Sequence, residues 1–167
     1  FIALPAGAAA EGVTEGVLNK TKIIDLGGDF RLKNADDYEK WYELKHNNRE
    51  ILKEAVYGLC EVNRDIIKGK RLVANPGCYT TCSILTMYPL IKEGLVETKG
   101  IIIDAKSGVS GAGRSVLQQS LYCERNECVK PYKVASHKHT PEIEQALSIA
   151  AGEDIKLIFT PHLIPMN

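Results

Sequence analysis

The sequence predicts an α/β fold, with a parallel sheet over roughly the first 75 residues and further strands and helices after it. Three observations carry that prediction. Short apolar runs alternate with helical stretches as far as "RLVAN" (71–75), the rhythm of parallel strands joined by helical crossovers. "ANPGCYTTCSILTMYPLI" (74–91) then turns at Pro76-Gly77 and reads as one helix from Cys78 to about Lys92. Beyond it, "GIIIDAKSG" (100–108) and "IKLIFTPHLI" (155–164) are strong strand candidates with a helix between them.

Taken in order, "FIALP" (1–5) is a short buried-type strand, followed by small residues and a helix over 8–19. "KIIDLG" (22–27) is a second strand, with Asp25 near its carboxyl end. "NADDYEKWYELKH" (34–46) reads as a surface helix. Asn34 is its N-cap, Asp36 and Asp37 occupy the first turn, and Lys45 and His46 sit at the end where the dipole favours cations. "AVYGL" (55–59) and "RLVAN" are further strands, and "GIIIDAKSG" runs into a glycine-rich loop. In "TPEIEQALSIAAG" (140–152), Thr140 is placed as N-cap, Pro141 at N1, Glu142 in the first turn and Gly152 as the stop. The chain opens without Met inside an apolar run and stops just after another, so a fragment is the expectation.

Composition narrows the function classes. Of the 167 residues, 21 are Lys or Arg and 21 Asp or Glu, a balance that argues against a general nucleic-acid or acidic-membrane surface. Small anionic ligands are still allowed, since they need only a few placed cations and amides. No apolar run approaches the ~20 residues of a membrane span. The five cysteines are an odd number without the spacing of a secreted disulfide framework, and a reducing cytoplasm is expected.

Chemistry concentrates in three stretches. In the first, Cys78 follows Asn75-Pro76-Gly77 at a helix N-terminus, where unpaired N–H groups and the macrodipole favour a thiolate and can hold an oxyanion. Local chemistry leaves nucleophile and structural cysteine equally open; Cys82, among Ile84, Leu85, Tyr88 and Leu90, is read as packing. A zinc site from Cys78, Cys82, Cys123, Cys128, His137 and His139 is the rival, although C-x3-C and C-x4-C are poor ligand spacings. In the second stretch, "SHKHTPEIEQ", alternation points His137 and His139 to one side and Lys138 away. The alternative is a pair of solvent-facing histidines, and Glu142 and Glu144 read as first-turn dipole partners and helix surface. The third, "SGVSGAGR" (107–114), can present amides and a guanidinium to an anion, but equally suits a flexible surface loop. Arg31, in "GGDFRL", is a further anion contact or a plain surface arginine.

Eight segments in order, "FIALPAG", "IIDLGGDFRL", "WYELKH", "EAVYGLCEVNR", "ANPGCYTT", "SGVSGAGR", "HKHTPEIEQ" and "TPHLIPMN", resemble the N-acetyl-gamma-glutamyl-phosphate reductase family, related to aspartate-semialdehyde dehydrogenase. The resemblance implies the C-terminal part of a Rossmann-type parallel sheet, the second part of an NADP-binding domain over 1–75. Joined to it would be an incomplete mixed-sheet α+β catalytic and dimerisation domain over 76–167. It implies a homo-oligomer, dimer or tetramer, that reduces an acyl phosphate to an aldehyde with NADP(H) in arginine biosynthesis, with no metal, nucleic acid or membrane. By the same resemblance Cys78 is the nucleophile and His137 its acid/base partner. Arg31, His139, Ser107 and Arg114 would contact substrate, and Pro5, Gly7, Gly108, Ser110 and Gly111 would lie along the cofactor. Ala6 stands where the family often has histidine and Gly27 where serine is common, departures that touch cofactor contacts and not the chemistry, and Cys60 stands where proline is common. The chain contains no G-x-G-x-x-G; the family's fingerprint is expected upstream of Phe1, so NADP affinity of this stretch alone should be poor. An aspartate-semialdehyde dehydrogenase is the nearest alternative, disfavoured by H-x-H-T-P-E-I; a zinc module or a non-catalytic scaffold are rivals from other classes.

Overall fold

The computed structural model describes residues 1–167 and arranges them around two sheets. In the first, β1 (Ile23–Asp25), β2 (Ala55–Tyr57) and β3 (Leu72–Ala74) run parallel, with β3 between the other two. In the second, β4 (Ile101–Gly108) and β6 (Leu157–Ile164) pair in parallel over their whole length, and β5 (Lys130–Pro131) joins β6 antiparallel. The α/β class and the mixed second sheet are therefore as expected.

Eight helices connect the strands: α1 (Ala8–Gly12), α2 (Glu15–Lys20), α3 (Ala35–Tyr42), α4 (Arg49–Glu54), α5 (Cys60–Lys68), α6 (Cys78–Lys92), α7 (Tyr122–Arg125) and α8 (His139–Ala151). Two cores result. Ala9, Val13, Ile23, Phe30, Ile51 and Leu72 fill the one beside the parallel sheet. Ile84 and Ile91 of α6, Ile143 and Leu147 of α8, and Ile101 and Phe159 of the mixed sheet fill the other. Because α6 leaves directly from the carboxyl end of β3 and packs against α8, its first residue falls at the seam between the two cores. No helix is long and apolar enough to cross a membrane.

Several local expectations need correction. "FIALP" contributes only a bridge from Ile2 to Asp25. The helix expected over 8–19 is two: Val13 is buried and extended, and Thr14 restarts the helix by accepting from the Val17 amide. Asn34 caps α3 as expected, but the helix stops at Tyr42 because Glu43 turns left-handed (φ 56°). His46 then folds inward, 1% exposed, with Nε2 2.8 Å from the Asp29 carbonyl, and does not sit at the helix end. Helices α4 and α5 were unanticipated. Finally, α8 begins at His139 rather than after a Thr140 cap; Thr140 is buried inside its first turn.

Leu72, fully buried on the central strand of the parallel sheet, should be among the most costly truncations. Leu72→Ala is expected to lower unfolding free energy by about 2–5 kcal/mol in urea titrations.

Candidate active site

Three residues turn the chain from β3 into α6. Asn75 accepts from Arg31 Nε at 2.8 Å and donates its own amide to the Asp25 carbonyl, fastening the turn to the parallel sheet. Gly77 donates its amide to Glu142 Oε1 at 3.1 Å. A Cβ at Gly77 would stand 2.3 Å from His139 Nε2 and 3.0 Å from Arg31 Nη1, so only glycine lets α8 approach this closely. Cys78 follows as the first residue of a 15-residue helix, exposed to solvent. The amides of Cys78, Tyr79 and Thr80 meet no protein acceptor, so three donors and the positive end of α6 are free beside the sulfur.

Glu142 holds this turn. Its carboxylate is 1% exposed and accepts from Tyr57 Oη (2.6 Å), the Gly77 amide and Thr80 Oγ1 (3.0 Å), with Arg31 Nη1 3.5 Å from Oε2. Glu142 is thus in the first turn of α8 as expected, but it is not helix surface, because that turn faces the seam. Burial and the neighbouring carboxylate push the Tyr57 hydroxyl well above its usual range, so it stays a donor. Arg31 is no surface arginine either. Its Nε is bound to Asn75 and its Nη2 to the Leu26 carbonyl at 3.0 Å, so much of its fork is taken by the protein.

One cleft of about 190 Å³ brings together Cys78, Ser107, Gly111, His137 and His139, five of the residues singled out in the sequence. Tyr79, Tyr132, Lys133, Lys138 and Tyr42 complete its wall. Lys138 does not point away: its Nζ lies 4.5 Å from the centre of the Tyr42 ring. The two imidazoles are 4.6 Å apart, and His137 Nδ1 accepts the His139 amide at 3.1 Å. That bond assigns the ring proton of neutral His137 to Nε2. Burial, His139 and the lysines hold His137 down to about 4, and burial with Arg31 and Lys133 holds His139 down to about 4. Both rings are therefore neutral near pH 7. No hydrogen bond joins Cys78 Sγ to either ring; such contacts often close only around substrate.

The other singled-out residues lie outside this cleft. Arg114 and Ser110 are exposed on the loop, and Gly108 lies against the Met166 carbonyl, where a Cβ would come within 2.6 Å. Pro5 is exposed. Gly7, at φ 93°, donates its amide to Asp29 rather than leaving it free. Cys82 is exposed, not packed, and shares a second cleft of about 470 Å³ with Cys78 between α6 and β4. No three Cys, His, Asp or Glu side chains are grouped as metal ligands.

Among the residues that sequence reasoning missed, Glu142 and Lys138 stood inside quoted motifs. Lys138 was misjudged because its backbone is helical (φ −60°, ψ −17°), so alternation does not apply, and Glu142 because packing decides which face of α8 is buried. Tyr57 and Thr80 carried no local signal.

Comparison with known proteins follows the same division of the chain. Residues 1–70 match the semialdehyde dehydrogenase NAD-binding domain and residues 78–167 the semialdehyde dehydrogenase dimerisation domain. The whole chain is 59% identical to N-acetyl-gamma-glutamyl-phosphate reductase of Lachnoclostridium phytofermentans, covering 48% of it. It is 60% identical to the Campylobacter jejuni protein of that name, covering 49%, and 58% identical to that of Clostridium novyi, covering 48%. The chain thus spans about half the length of the curated relatives it matches. Among solved structures, aspartate semialdehyde dehydrogenase II from Vibrio cholerae superposes with a TM-score of 0.62 at 16% identity, over 98% of this chain and 50% of that one, a likeness of fold.

Two outcomes follow from this geometry. Glu142→Ala, which strands Arg31 without its carboxylate, should cost about 3–5 kcal/mol in urea unfolding, and Glu142→Gln less. The histidine pair has folded pKa values near 4 against the usual 6.5. The unfolded chain therefore binds more protons in between, and stability present above pH 6.5 is lost as pH falls through about 4. The urea midpoint should drop from pH 7 to pH 4, and should drop less when both histidines are replaced by asparagine.

Proposed function

The chain belongs to the semialdehyde dehydrogenase family, and from that premise we propose that it carries the cysteine centre of an N-acetyl-gamma-glutamyl-phosphate reductase. One observation supports this above the rest: an exposed cysteine at a helix N-terminus shares a small cleft with two neutral imidazoles and the Ser107–Gly111 loop. In this reading residues up to about 75 belong to the nucleotide-binding part and those from 76 to the catalytic part. The substrate is N-acetyl-glutamyl 5-phosphate, the product its semialdehyde, and the setting a reducing cytoplasm, in keeping with five free cysteines. Self-association through the second part accords with the name of the domain it matches.

A nicotinamide cofactor goes with the NAD-binding domain match, and NADPH is the form proposed. The residues present suit its reactive end. Ser107 and Gly111 flank Cys78, and at the carboxyl end of β1, where open α/β sheets receive ligands, Asp25 has a buried Oδ2 without a partner. The pyrophosphate end is not provided for by Gly7, whose amide serves Asp29.

The chemistry asked of the chain is acyl transfer. Cys78 Sγ attacks the acyl carbonyl, the S–C bond forms as the C–O bond to phosphate breaks, and the thiol proton leaves on the departing phosphate. The free amides of Cys78, Tyr79 and Thr80, with His137 Nε2–H, hold the developing oxyanion. Bound nicotinamide supplies the hydride that takes the resulting thioester to the aldehyde level. The thiolate of Cys78 is then released and takes a proton from water. Arg31, behind His139 rather than on the cleft wall, reaches the substrate through the Nη donors it does not spend on Leu26 and Glu142, and His139 borders the bound acyl chain.

The test is Cys78→Ser in the full-length enzyme, assayed for NADPH oxidation with N-acetyl-glutamyl phosphate and with aspartyl phosphate. Wild type should use the first, and the variant should lose at least about a thousandfold in kcat. Retained turnover, or preference for aspartyl phosphate, would refute the reading.

A further inference from the structure

Two ammonium groups on the wall of the Cys78 cleft have no carboxylate partner. Lys133 and Lys138 both line it, and neither forms an ion pair. The acids that act on Lys138 are Glu43 and Asp29, neither within contact. The Asp29 carboxylate is already occupied by the amides of Gly7 and Ala10 and the Tyr38 hydroxyl. Lys133 shares the cleft wall with Lys138, His137 and His139, and its charge bears on all three. Lys133 also adopts a left-handed backbone (φ 44°), in a turn closed by the Ser136 amide on its carbonyl. A non-glycine residue is seldom held there, and such strain collects at functional sites.

Resting on the acyl-phosphate reading, we infer that Lys133 and Lys138 form an anion subsite of this cleft, which takes the phosphoryl group of the substrate and the inorganic phosphate it releases. The phosphoryl group is bonded through one oxygen to the carbon that Cys78 attacks, so it must lie in the same small cleft. The carboxylate at the far end of a glutamyl chain need not. A dianion calls for two cations, and Arg31, the other cation near the cysteine, already spends donors on Asn75 and Leu26. Lysines act as mobile point charges that can follow phosphate as it departs.

Phosphate binding is measured first, by ³¹P titration and by protection of Cys78 from iodoacetamide. Each of Lys133→Met and Lys138→Met should weaken phosphate about tenfold, while Lys33→Met, in a groove elsewhere, should not. In the full-length enzyme run in reverse, KM for phosphate should rise about tenfold with KM for the semialdehyde unchanged. A rise confined to the semialdehyde would assign the lysines to the carboxylate and overturn the inference, as would phosphate binding indifferent to both substitutions. If phosphate binds through the lysines while the Cys78→Ser enzyme still turns over, the subsite stands and the reductase reading falls.

Discussion

The buried carboxylate of Glu142 gathers four groups from separate parts of the chain: a tyrosine on β2, an arginine beyond β1, the amide of Gly77 and a hydroxyl in the first turn of α6. A charge taken this far out of water persists only where donors replace its hydration. The arrangement therefore acts as a constraint in both directions. The donors stabilise the anion, and the anion fixes where the turn before Cys78 can sit. Since Glu142 belongs to α8, the helix that carries His139 and follows His137, the cysteine turn and the imidazoles are referred to one anchor.

Packing reinforces that reference. Gly77 is tight against His139 and Arg31, while Tyr79 stacks edge-on against both imidazoles and Phe159 of the mixed sheet. The same crowding removes water from the rings, which makes them neutral, and the nearby positive charges are then the helix end, two lysines and Arg31, the last paired with Glu142. The cleft is thus electropositive without a charged histidine. That suits the developing oxyanion and the departing phosphate of the proposed reaction.

The family resemblance and the physical reading contribute different things. The resemblance names a substrate class; burial and hydrogen bonding say which residues are free to meet it. Ser107, Gly111 and the histidines border the sulfur, whereas Gly7 and much of the Arg31 fork are committed to the protein. Family motifs mix residues that touch ligand with residues that hold those residues in place, and a sequence does not separate the two.

The α/β class, the long helix at Cys78, the eight-residue strands β4 and β6 and the cysteine–histidine–loop constellation were all legible in the sequence, because each depends on local periodicity, a turn of Pro and Gly, or a motif read in order. What only the tertiary structure decided was on which side a residue falls. Glu142 looked like helix surface and proved to be a buried carboxylate that holds the cysteine turn, Cys82 looked buried and is exposed, and Lys138 looked outward and lines the cleft. Local pattern determines which residues share a face of a helix or strand. Which face meets another element is set by packing between segments far apart in the chain, such as Tyr57 and Arg31 meeting Glu142 across 85 and 111 residues, and no window of sequence contains both partners.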